Sequence, residues 1–191
     1  MPERIAPIAV VLLVIVLAIA AVTDWREGRI PNWLTVPAMV GGLVFWSLAG
    51  LIDRGTPGAA DAAVASGLAL AAGFVPMFVV AYAGGFGGGD VKLMGAVGAI
   101  SADWRCVLAT LVYALLVGGV MSIFIMVRRG VVRQTLKRIG SAAIGMMARS
   151  AVPVPDDGPR VPFGVAISVG GFVAAAEHML GLMLPWSIWG P

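Results

Sequence analysis

A chain of 191 residues that is 60% hydrophobic and 12% charged, with a mean hydropathy of +0.97, could not hydrate its surface as a soluble domain and reads as an integral membrane protein. The formal charge of +3 gives no argument for a nucleic-acid partner, and its distribution matters more than its size. One cysteine, Cys106, and one histidine, His178, leave no intrachain disulfide, no Cys-rich zinc site and no Glu-plus-His metal pattern.

The expected architecture is all-α: a polytopic membrane protein of about six transmembrane helices, forming one membrane-embedded domain over residues 1–191. Apolar runs near 5–22, 33–52, 62–83, 106–127 and 161–184 are each long enough to cross about 30 Å of hydrocarbon, and a shorter one covers 91–102. The first run has a signal-peptide look, with Arg4 ahead of an apolar core and Ala18, Ala20 and Ala21 behind it. It spans a membrane by itself and leads straight into a polar motif, so it is kept as a helix. Residues 131–149 form a cytoplasmic amphipathic segment. Val132, Leu136, Ile139, Ala143 and Met146 share one helical face, with Arg133, Lys137 and Arg138 off it. Such a segment suits an anionic lipid surface, with a docking site for a partner protein as the alternative. Pro153 to Pro159 then read as a turn-rich loop.

Lysine and arginine orient the chain. With the loop after the first helix in the cytoplasm, that side collects Arg26, Arg29, Lys92, Arg128, Arg129, Arg133, Lys137, Arg138, Arg149 and Arg160, and the other side keeps Arg4, Arg54 and Arg105. Both termini then lie outside the cytoplasm. Trp25, Trp33, Trp104, Trp186 and Trp189 fall where interfacial anchors belong.

This topology sorts the acids. Glu3, Asp53, Asp61, Asp103 and Glu177 belong to the far side as solvated or interfacial charges, and His178 beside Glu177 is interfacial or a packing residue. On the cytoplasmic side, Asp156 and Asp157 sit in the Pro-rich loop and Glu27 reads as solvated or as a neighbour that tunes Asp24. Asp24 ends the first apolar run and Asp90 begins the short one, so both project from helix ends at one membrane face. Two close carboxylates cannot both ionise cheaply and share a proton. The ionised member can then take a proton from an attacking water while the other donates to the developing oxyanion.

About twelve residues of helix rise only about 18 Å, so a short helix that reaches the far face starts below the cytoplasmic surface. The run Gly84-Gly85-Phe86-Gly87-Gly88-Gly89 would then be non-helical backbone at membrane depth, which needs protein or a water-filled cavity around it. The plainer reading of the same residues is an interhelical turn with Asp90 as an N-cap.

Asp24 followed by Ile30-Pro31-Asn32, and Gly87-Gly88-Gly89-Asp90-Val91-Lys92 with its G-x-G-D core, resemble the prepilin peptidases, membrane-embedded aspartic proteases of the G-x-G-D type. Pro162-Phe163-Gly164-Val165-Ala166-Ile167 also looks like this family. The size, the helix plan and the lack of cysteine motifs are most similar to the short CpaA/TadV-like branch that serves Flp-type pili. The resemblance implies that Asp24 and Asp90 are the catalytic pair, acting without metal or cofactor at the cytoplasmic face of a bacterial inner membrane. It further implies cleavage after the glycine that ends the short basic leader of a prepilin. The chain departs from the longer bifunctional relatives in lacking their extra cytoplasmic segment and its cysteines, which leaves N-methylation of the product without support.

Beside that resemblance, Gly87 and Gly89 would let an extended substrate approach Asp90, and Pro31 and Asn32 would shape the start of the second helix. Lys92 has two open roles, pairing with a carboxylate or snorkelling to the interface. The expected partners are a prepilin, the bilayer and pilus-assembly or secretion proteins. The competing functions are a related preflagellin or intramembrane G-x-G-D protease, and a proton-coupled transporter using the same acids.

Overall fold

The computed structural model describes residues 6–130 and 162–180, with the side chains of residues 6 and 178–180 excepted. All regular structure among them is helical: α1 (Ala6–Glu27), α2 (Asn32–Tyr82), α3 (Gly88–Ser101), α4 (Trp104–Arg128) and α5 (Phe163–Leu180). Three helices are long and apolar enough to cross a membrane: 7–27, 32–82 and 104–128. The amphipathic segment expected over 131–149, the Pro-rich loop with Asp156 and Asp157, and the His178 side chain lie outside the described residues.

α1 continues five residues past the end of its apolar run, because nothing before Gly28 opposes a helix. Gly28 takes a left-handed φ of 63° and its N–H bonds back to the Asp24 carbonyl at 2.9 Å, the glycine stop of a helix C-terminus. Asp24 therefore lies inside the last turns of α1. Ala9, Leu13, Leu17, Ala20 and Asp24 are all buried, and their spacing puts them on one stripe. The carboxylate extends the packing face of the helix.

Pro31 is extended, with φ −75° and ψ 144°, and α2 starts immediately after it. This helix runs through 51 residues but breaks at Arg54 (φ −136°, ψ 17°) and Gly55 (φ 69°, ψ −154°). Residues expected to form a polar loop between two spans are thus helical except for two. Across the break the limbs fold back on each other: a Cβ on Gly50 would lie 2.2 Å from the Gly58 carbonyl oxygen. In an unbroken helix those residues would stand about 12 Å apart along the axis.

α3 is packed between the two limbs of α2. A Cβ on Gly42 would meet the Ala99 carbonyl carbon at 2.6 Å, one on Gly73 the Met94 oxygen at 2.4 Å, and one on Gly98 the Ala69 oxygen at 2.1 Å. Small residues let helix backbones touch where lipid offers no hydrophobic drive for association. Val91 and every residue from Leu93 to Ile100 are buried. A helix of 14 residues rises only about 21 Å, so its end needs partners within the bundle. Trp46 donates its indole N–H to the Ile100 carbonyl at 2.7 Å, and the Ser66 hydroxyl donates to the Ala99 carbonyl at 2.7 Å. Those carbonyls have no partner within the helix.

α1 and α5 pack together and both touch α3. Gly170 of α5 abuts the α4 backbone, where a Cβ would meet Thr110 O and Ala114 N at 2.7 Å. Among the described residues, those up to Val117 and those from Pro162 form one compact unit, and Gly118 begins a second. The described part of the second is the end of α4, where Ser122 bonds back to Gly118 O at 2.7 Å and Arg128 lies over the Phe124 ring.

Candidate active site

Three segments far apart in sequence meet at one end of the first unit: the turn after α1, the glycine run entering α3, and the start of α5. Ile30 joins them. It is buried; a Cβ on Gly89 would lie 3.1 Å from the Ile30 Cβ, and one on Gly164 would lie 2.6 Å from the Ile30 Cδ1. The rings of Phe86 and Phe163, 4.5 Å apart, join the glycine run to α5.

Asp24 is 6% exposed, and its Oδ2 accepts the Val165 N–H at 3.1 Å. The Gly164 N–H also points toward this carboxylate. Both donors belong to the first turn of α5, where amide N–H groups lack helical partners and the helix dipole favours negative charge. Among the described residues, this buried carboxylate is held by backbone rather than by a basic side chain.

Asp90 is half-buried and sits in the first turn of α3, with Gly87 as the cap residue. Its Oδ2 accepts the Gly87 N–H at 3.2 Å, in the manner of a capping-box acid. The N-cap reading of Asp90 is therefore off by three residues: Gly87 is the cap, Asp90 is the third helical residue, and α3 begins at Gly88, inside the glycine run. The Asp24 and Asp90 carboxylates are near enough to act on one another's charge. Each negative charge makes ionisation of the other more costly.

The glycines divide by what surrounds them. Gly89 makes room for Ile30, and a Cβ on Gly87 would lie 3.3 Å from the Asp90 Oδ2. Gly88 faces open space. Lys92 pairs with no carboxylate among the described residues: its Nζ donates to the Asn32 Oδ1 at 2.7 Å. The ammonium finds a neutral acceptor within reach because Asn32 starts α2 beside the first turn of α3. Pro31 stands at the cap of α2, and Leu34 and Thr35 N–H bond to its carbonyl at 3.2 and 3.4 Å.

The other described acids lie elsewhere. Glu27 is exposed and paired with Arg29 at 3.2 Å, and Asp53 and Asp61 flank Arg54 at 3.5 and 3.7 Å. The Asp103 Oδ1 accepts the Arg105 N–H at 2.8 Å. Glu177, expected to be solvated or interfacial, instead accepts the Tyr113 hydroxyl. Among the described residues no three His, Cys, Asp or Glu side chains gather as a metal site would require.

Sequence reasoning noted Pro162-Phe163-Gly164 without giving it a part in the site. A glycine in the first turn of a predicted helix, inside a motif, was the available signal. What it lacked was the partner, which only the packing of α5 on α1 supplies.

A family model described as the type IV leader peptidase family matches residues 11–123. Comparison with curated proteins and with solved structures gave no match.

Proposed function

We propose, since this chain belongs to the type IV leader peptidase family, that it is a membrane aspartic endopeptidase in which Asp24 and Asp90 form the catalytic pair. The observation that carries this reading is the meeting of two carboxylates from α1 and α3 at one end of the bundle, one anchored by backbone N–H groups and one half-exposed. The family itself implies a peptidase that removes the leader from prepilins.

One aspartate is ionised and removes a proton from water as it attacks the scissile carbonyl. The other, protonated, donates to the developing oxyanion; the proton taken from water then passes to the leaving amine, and as the carbonyl re-forms a hydroxyl of the tetrahedral intermediate returns its proton to the aspartate that had donated. The substrate strand lies extended past the open side of Gly88, next to Asp90. Its leader carries the basic residues of a Flp-type prepilin, and its apolar segment stays in the bilayer. The bundle crosses the membrane six times, the two limbs of α2 and the short α3 each counting as a crossing, with the site at the cytoplasmic face as the arginine and lysine bias indicates.

The test is reconstitution of the purified full chain in lipid with a Flp-type prepilin, with mass spectrometry of the products. A single cut after the glycine that ends the leader is expected. An intact prepilin after prolonged incubation, or a cut within the apolar segment, would refute this substrate assignment.

A further inference from the structure

We propose that the amino end of α5, with glycine required at position 164, is the positioning element that sets the Asp24 carboxylate for catalysis. The proposal rests on the peptidase reading above and adds a part of the molecule to it. Three observations carry it.

The first is the pair of N–H groups, Gly164 and Val165, that converge on the Asp24 carboxylate. Backbone donors in a helix have no rotamers, so they fix an oxygen more tightly than a side chain would. The second is the space at Gly164. A Cβ there would stand 2.8 Å from the Asp24 Oδ2 and 2.9 Å from its Cγ, well inside carbon–oxygen contact. The third is that α5 has no room to retreat. Six residues on, Gly170 lies against the α4 backbone, where even a methyl group would come within 2.7 Å of Thr110 O and Ala114 N. Bulk added at 164 must therefore be relieved at the Asp24 carboxylate or at Ile30, whose Cδ1 would be 2.6 Å away.

Those two routes separate a positioning role from a packing role. Ile30→Val removes the Cδ1 and leaves the Asp24 contact in place. The experiment measures kcat, KM for a Flp-type prepilin and thermal stability for the wild type, Gly164→Ala, Ile30→Val and the double variant, all reconstituted in the same lipid. Gly164→Ala should lose about a hundredfold in kcat, the cost of a misplacement near 1 Å, with KM changed by less than about twofold because no substrate contact is altered. In the double variant stability should recover toward that of Ile30→Val while kcat stays low. Recovery of kcat together with stability would mean that the defect lies in packing on Ile30, and would overturn the proposal. Wild-type kcat in Gly164→Ala would overturn it as well.

Val165→Pro is the second variant, and it keeps the question open to disproof if Gly164→Ala fails to fold. Proline is tolerated in the first turn of a helix and deletes the N–H, its Cδ displacing the Asp24 oxygen from that nitrogen while position 164 stays glycine. A folded Val165→Pro protein with lowered kcat and unchanged KM supports the proposal, and one with full kcat overturns it. Wild-type protein that cleaves no prepilin overturns the peptidase reading and this proposal with it. A wild type that cleaves beside a Gly164→Ala that cleaves equally well overturns the role of Gly164 alone.

Discussion

Lys92 and Asn32, sixty positions apart in the chain, join the first turn of α3 to the first turn of α2 through one hydrogen bond of 2.7 Å. The ammonium is thereby turned toward a neutral amide rather than toward either aspartate. A charge-assisted bond between partly exposed groups holds the starts of α2 and α3 in register without engaging either carboxylate.

The first prediction concerns this bond. Lys92→Met and Asn32→Ala should each reduce kcat/KM by roughly three- to tenfold, the size of a hydrogen bond worth about 1 kcal/mol. The double variant should be no worse than the weaker single, because both delete the same contact. Additive losses in the double-mutant cycle would show that the two side chains act separately.

The aspartates themselves are the second test. Asp24→Asn and Asp90→Asn should each cut turnover by about a hundredfold or more, the usual contribution of a general acid or base. Both variants should remain folded in the membrane, since an amide oxygen can accept the same backbone N–H bonds. Full turnover in either one would remove that residue from the mechanism.

A shared proton also fixes the sign of the pH dependence. At low pH both carboxylates are protonated and no base remains; at high pH both are ionised and no acid remains. The rate profile for wild-type protein should therefore be bell-shaped, with apparent values belonging to the pair rather than to either residue. A profile that rises to a plateau with pH and never falls would contradict the acid step.

The glycines of the motif should separate by surroundings. A Cβ on Gly88 would meet nothing within 4 Å, so in Gly88→Val thermal stability should hold while KM for prepilin rises as the substrate strand is crowded. Gly98→Ala forces a methyl group to within 2.1 Å of the Ala69 carbonyl oxygen. That is backbone against backbone, and it should cost about 2 kcal/mol or more, as overpacking does. Unfolding in detergent, followed by tryptophan fluorescence, reads both; a large stability loss in Gly88→Val would contradict the open face assigned to it.

Trp46 and Ser66 give the last prediction. Trp46→Phe and Ser66→Ala each leave a buried carbonyl near the end of α3 without its donor, at a cost of about 1–3 kcal/mol. Both should lower the unfolding midpoint, and the loss should be smaller if a water replaces the donor. Unchanged stability in both would mean that α3 does not depend on its neighbours to end where it does.

Much of this site could be read from the residues alone. Asp24 and Asp90 were singled out by elimination, and Pro31 marks the start of α2 because its ring excludes helix before it. The helix boundaries near the site were less legible. α3 begins at Gly88 rather than Val91, because glycine weakens a helix without forbidding it and Asp90 can serve that first turn as an N3 acid. The Tyr113–Glu177 pair was missed because an acid near the end of an apolar run looks the same whether it meets water or a hydroxyl from another helix.

Sequence alone pointed to the solvent, the helical class and two candidate acids, because hydropathy and the high cost of a charge in hydrocarbon are properties of residues and of their order. It could not say which side of α1 faces protein. That helix is apolar all round, and lipid and a packed bundle ask for the same residue types. Only the tertiary structure decided that Ala9, Leu13, Leu17, Ala20 and Asp24 form the inward stripe. The same packing set the amino end of α5 against Asp24, since that depends on which glycines let backbones approach.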